Sequence, residues 1–156
     1  ARYRAVRAAQ ALERSAVYED DQDMMGHDAR VWVLTFPGRP MTQNKYRNLH
    51  HSARGAYDRQ WRHDGFILAR KARIPLLEVC SVVVTPTTRT KVQPDTAACA
   101  ATVKAIIDGM VDAGVLVDDT GAHLYEITFR APVKTGVDSL VVEVHDHVGH
   151  EQEGRA

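Results

Sequence analysis

At 156 residues the chain has the length of one domain, and about two-thirds of the surface of an unfolded chain this size is buried on folding. Lys plus Arg number 20 and Asp plus Glu number 20, a net charge of zero. As an average, that excludes a histone-like basic tail and an acidic disordered protein. No apolar stretch approaches the roughly 20 residues a membrane-spanning helix needs, so no membrane partner is expected. The basic start Ala1-Arg2-Tyr3-Arg4 is not followed by an apolar signal core. Cys80 and Cys99 form neither a disulfide framework nor a zinc-type pair. They read as buried, reduced thiols of a cytoplasmic protein.

In chain order, Tyr3, Val6, Ala9, Leu12 and Val17 recur at helical spacing, and the acidic run Glu19-Asp20-Asp21-Gln22-Asp23 follows. Residues 1–29 are therefore expected to be a peripheral helix and linker. Val31-Trp32-Val33-Leu34-Thr35-Phe36 reads as a strand stopped by Pro37-Gly38-Arg39-Pro40. Arg39 to His51 is a polar, basic loop. Ser52 is the expected N-cap of a helix running to about Ala72, with Trp61, Gly65, Leu68 and Ala72 on its inner face. Leu77 to Thr85 reads as a strand buried on both faces, and Pro86 to Pro94 as a polar connection. A helix is expected from about Thr96 to Ala113, with Val103, Ile106, Ile107 and Met110 inward and Gly114 as its stop. The turn Asp118-Asp119-Thr120-Gly121 precedes a strand near His123–Ala131, and Ser139–His145 forms the last strand. The order predicts an α/β (α+β) domain over residues 30–146, a mixed sheet of four to five strands covered by two main helices. The last two strands are expected to form an antiparallel hairpin, and residues 147–156 a disordered tail.

The neutral total hides a segregation. From Arg39 to Arg73 there are nine Lys/Arg residues against Asp58 and Asp64. From Val92 to Phe129 only Lys104 is basic, while Asp95, Asp108, Asp112, Asp118, Asp119 and Glu126 are acidic. The two halves either neutralise each other across the fold or serve separate tasks. A basic loop and helix suit phosphate contacts. Carboxylates beside them make sense if a divalent cation bridges them to a phosphate. Taken alone, Asp118-Asp119-Thr120-Gly121 is as readily a solvated turn, and Asp95 an ordinary helix-capping residue. Lys104, Asp108 and Asp112 stand four apart on one helix face. Lys104 is either part of a solvated ion-pair face or the group that stabilises a substrate phosphate.

The run Pro94-Asp95, then Val103-Lys104-Ala105-Ile106-Ile107-Asp108-Gly109-Met110-Val111-Asp112-Ala113-Gly114-Val115-Leu116-Val117-Asp118-Asp119, resembles the RusA family of Holliday junction resolvases. That family carries Lys and Asp four apart on a helix and an Asp-Asp pair ten residues beyond that Asp, as Lys104, Asp108 and Asp118 stand here. The front half is similar as well, with a Pro-rich turn, an Asn-Lys-Tyr-Arg loop and a helix containing Tyr57-Asp58-Arg59. The similarity covers roughly Val31 to His145.

The resemblance implies a homodimeric endonuclease dependent on Mg²⁺ (with Mn²⁺ as a substitute), without a small-molecule cofactor. It would nick branched DNA at four-way junctions in recombination and repair, inside a bacterial or phage-infected cell. The catalytic residues would be Asp95, Lys104 and Asp119, with Asp95, Asp119 and Asp118 as metal ligands. Arg39, Asn44, Lys45, Arg47, His50, Arg54, Arg89 and Lys91 would hold DNA. One departure stands out. The family's Asp-x-Asp-Asn lies with its second Asp four residues before the Lys, whereas here Asp95 lies nine before Lys104, and Ala98 and Ala100 occupy the counted positions. One carboxylate is missing, which leaves as the alternative a weakened or inactive branched-DNA-binding protein on the same scaffold.

Overall fold

The computed structural model describes residues 30–91 and 95–147. The expected N-terminal helix and linker, the stretch ending at Pro94 and the tail from residue 148 lie outside the described residues. Strand β1 (Val31–Pro37) alternates as a strand with one buried face must. Leu34 and Phe36 are buried, while Val31 and Val33 are exposed. The basic loop contains a short helix, α1 (Gln43–Arg47), whose N-cap Thr42 accepts a hydrogen bond from the Lys45 amide. Helix α2 (His51–Lys71) begins one residue before the expected Ser52. His50 takes the cap instead, its Nδ1 accepting from the Ser52 amide at 3.4 Å.

Strand β2 (Cys80–Thr88) starts and ends three residues later than the sequence suggested. Leu77 is not in the ladder because its amide is bonded to the Val115 carbonyl, 2.8 Å away. Pro86, expected in the connection, lies inside the strand. It falls in the gap between two partners: β3 (Leu124–Phe129) pairs as far as Val84, and β4 (Val133–Lys134) begins at Thr87. A residue without an N–H is tolerated where a neighbouring ladder is interrupted. Helix α3 (Ala100–Asp112) is shorter than predicted, since residues 96–99 form turns.

The class is as expected, a mixed five-stranded sheet with helices packed on it, but the strand order corrects the hairpin. Strand β5 (Ser139–Asp146) does not pair with β3. The order is β1-β5-β2-β3, with β5 antiparallel to both β1 and β2, and with β3 and β4 parallel to β2. Physically, β5 is buried almost throughout, with Leu140, Val141, Val142 and Val144 as its apolar part, and belongs where both its edges are bonded. By contrast, β3 exposes Tyr125 (71%) and suits the margin. The chain changes sides past the end of β2, where the Thr135 and Gly136 amides bond to the Thr88 carbonyl and Gly136 takes φ +83°.

Leu34, Phe36, Val82, Val84, Leu140, Val142 and Val144 form the inner face, against Trp61 and Ala69 of α2 and Val103, Ile106, Ile107 and Met110 of α3. Burial pushes the Cys80 and Cys99 thiols up to about 11, so both stay protonated and inert at neutral pH. The two helices cross through glycines. A Cβ on Gly65 would stand 2.6 Å from the Ile106 carbonyl oxygen, and one on Gly109 would meet the Arg62 carbonyl and, at 2.8 Å, the Phe66 amide. Both helices end in the same C-terminal motif. In α3, the Gly114 amide bonds to the Val111 carbonyl and the Val115 amide to the Met110 carbonyl, with Gly114 at φ +79°. In α2, the Arg73 and Ile74 amides bond to the Arg70 and Ala69 carbonyls, with Arg73 at φ 55°.

Two substitutions test this packing in urea unfolding. Gly109→Ala drives a methyl into rigid backbone and is expected to destabilise by about 3 kcal/mol or more. Arg73→Gly removes the left-handed penalty of a side chain and is expected to stabilise by about 1 kcal/mol.

Candidate functional site

An open cleft of about 410 Å³ lies between α1, α2 and α3, lined by Tyr46, Asp58, Arg59, Arg62, Lys104 and Asp108. Lys104 lines it from α3. The i, i+4 spacing on α3 brings the Asp108 carboxylate to 2.5 Å from its ammonium, and the turn after α3 brings the Asp119 carboxylate to hydrogen-bond it as well. The lysine, 59% exposed, is thus oriented by two carboxylates while open to solvent. The bonds to Asp108 and then Asp119 raise its pKa above the ordinary lysine value. The same bond holds the Asp119 carboxyl below the usual range.

The turn itself is built by Asp118. Its Oδ1 accepts from the Thr120 hydroxyl at 2.6 Å and the Thr120 amide at 3.0 Å, which lowers its pKa and leaves Asp119 aimed at Lys104. Asp112, the third member of the α3 face, is not a free surface charge. It receives a two-pronged bond from Arg62 of α2, at 2.5 and 2.8 Å, which lowers its pKa and raises that of the guanidinium.

The other predicted residues are distributed as follows. Asp95 is exposed and lies in the turns before α3, bordering a recess of about 20 Å³ with Arg39, Thr42, Thr87 and Thr88. The structure therefore joins Asp119 to Lys104 and leaves Asp95 on a different recess, which Arg39 also lines. Arg39 and Arg89 are drawn to the same end of the sheet by Asp138, which accepts from the Gly38 and Arg89 amides. Asn44, Lys45 and Arg47 are exposed on α1, and Lys91 is exposed beyond β2. His50 caps α2 with its ring against His51, centroids 4.2 Å apart. Arg54 has an internal task, donating to the Arg47 and Leu49 carbonyls at 2.9 and 3.3 Å and lying over the Tyr46 ring.

The sequence reading missed how the loop is held. Tyr46 of α1 donates its hydroxyl to Asp58 at 2.8 Å, and partial burial together with that bond pushes the phenol up. The second oxygen of Asp58 is buried without a hydrogen-bond partner. Tyr57 accepts from the Met41 amide at 2.8 Å and bonds to Thr102 of α3 at 2.7 Å. The available signal was spacing: Arg54, Tyr57 and Asp58 stand at i, i+3 and i+4 on α2, and so on one face.

The divalent cation implied by the resemblance finds no preformed site in this donor set. Among the described residues, no three His, Cys, Asp or Glu side chains gather in a metal-binding group. Asp118 is taken up by Thr120, Asp119 by Lys104, and Asp95 borders a separate recess. No protein-family model matches the chain, and no curated protein matches it in sequence.

The shifts fix an acid sensitivity. Asp112, Asp118 and Asp119 are held below the unfolded value of about 3.9. Their stabilisation is present above that pH and is lost as the pH falls through the lowered folded values. Lys104 has the opposite sign, its contribution disappearing only above about pH 10.4, the ordinary lysine value. Because these groups are exposed, their share is small: the urea midpoint should drop slightly as the pH falls below about 4, and Asp112→Asn together with Asp119→Asn should remove part of that drop.

Proposed function

We propose that this chain is a RusA-like protein that binds branched DNA through its phosphates and nicks it when a divalent cation is supplied. The observation that carries the reading is Lys104, held by Asp108 and Asp119 in an open cleft shared with Arg59 and Arg62. An ammonium has three donors. Two are taken by the carboxylates, and the third is left for a phosphate oxygen, on which it stabilises developing negative charge.

The cations around the cleft support the same reading. Of the nine between Arg39 and Arg73, only Arg62 is in an ion pair among the described residues. Arg39, Lys45 and Arg47, with Arg89 and Lys91, are exposed and available to displace counterions from a DNA backbone. A homodimer would carry two such clefts, as paired nicks at a four-way junction require. A second reading is binding without cleavage. It is favoured by the scattered carboxylates, because hard-cation affinity follows ligand charge and number.

A labelled synthetic four-way junction, incubated with Mg²⁺ or Mn²⁺, separates the two. Paired symmetric nicks are the expected product. Tight, salt-sensitive binding with no nicks under either metal would leave the binding-only reading, and no salt-sensitive binding would end both. Lys104→Ala should lower turnover by about 10²–10³-fold while changing junction affinity little; an equal loss of affinity would remove its catalytic role. Asp119→Asn should abolish nicking while the junction is still bound, since it removes the carboxylate that orients Lys104.

A further inference from the structure

The 39–49 segment carries three exposed cations, Arg39, Lys45 and Arg47, yet only the five-residue helix α1 gives it regular structure. Its order comes from one face of α2. Arg54 holds its end through the Arg47 and Leu49 carbonyls, Asp58 holds its middle through the Tyr46 hydroxyl, and Tyr57 holds its start through the Met41 amide. The tyrosines are reciprocal: Tyr46 reaches from the loop to α2 and Tyr57 from α2 to the loop, their ring centroids 5.9 Å apart. The Tyr57 ring also packs on Trp61, at 6.1 Å, and Trp61 on Phe36 of β1, at 6.1 Å.

Tyr57 alone connects three elements. Its oxygen accepts from the Met41 amide and its hydroxyl is bonded to the Thr102 Oγ1, a fully buried group two residues before Lys104 on α3. We infer that the Tyr57 hydroxyl is a positioning group, tying the basic loop to the helix that carries Lys104 so that loop cations and the lysine address one DNA backbone in fixed register. Tyr57 itself touches no substrate. Because phosphate contacts are additive only when their donors are held at the spacing of the backbone, loosening the loop weakens binding without removing any charge. This inference rests on the DNA-binding reading.

Tyr57→Phe keeps the ring between Tyr46 and Trp61 and removes only the oxygen, so the fold is expected to persist. Hydrogen exchange should then speed up at residues 39–49, with α2 and the sheet unchanged. Junction affinity at fixed salt should fall about five- to tenfold, with the slope of log K against log salt shallower by about one to two. If nicking is observed, KM for the junction should rise with kcat unchanged. Thr102→Val should have a smaller effect, and the double variant should be no worse than Tyr57→Phe alone, because both act on one hydroxyl.

Unchanged loop exchange in Tyr57→Phe would overturn the tether. Faster exchange with unchanged affinity and slope would overturn the positioning role, as would strictly additive losses in the double variant. Absence of wild-type junction binding would instead overturn the DNA reading, while the exchange result would still decide whether the hydroxyl holds the loop.

Discussion

Gly65 and Gly109 let α2 and α3 approach until backbone meets backbone, and the charged groups at the cleft depend on that approach. Side chains larger than hydrogen at these positions would force the helices apart. At the observed separation Arg62 reaches Asp112 with both prongs, and Tyr57 reaches Thr102. The cleft that holds Lys104 is lined by these two helices together with Tyr46 of α1. A packing constraint thus becomes an electrostatic one, because the positions of ionised groups follow from how near two backbones can come.

Within that frame the basic and acidic stretches do not cancel. They meet across the two helices at Arg62 and Asp112. The acidic contacts of Lys104 come from its own half of the chain, Asp108 one turn on and Asp119 after the helix. Exposed pairs of this kind contribute little to stability. Their consequence is geometric: they orient a lysine in a solvent-open cleft while Arg39, Lys45 and Arg47 remain without ion-pair partners among the described residues. The zero net charge conceals a surface on which positive groups stay available.

The loop that carries those groups shows how little regular structure is needed to fix charge in space. Three side chains on one face of α2 hold its start, middle and end, and aromatic contacts carry the restraint inward to Phe36. Segments anchored by a few part-buried hydrogen bonds open more easily than a packed core. The loop is therefore the place where the removal of one oxygen has a local effect.

Much of the architecture is written in local sequence. Period-two burial in β1, the apolar face of α3 and the Gly114 stop all follow from spacing and from the φ a terminating residue must adopt. The separation of basic and acidic stretches, and the Lys104–Asp108 pair, were equally legible, since four residues make one helical turn. Helix starts were less so: His50 displaced Ser52 as the cap because its ring nitrogen accepts from the same amide a better-known capping hydroxyl would seek. Only the tertiary structure decided that β5 lies between β1 and β2, that Pro86 falls in a gap between partners, and that Asp119 meets Lys104 while Asp95 borders a separate recess. The physical reason is common to all three. Periodicity constrains which side of a segment is buried, whereas the neighbour it meets depends on which strand edges remain unbonded and on how closely two helices can cross, and neither is a property of any one segment.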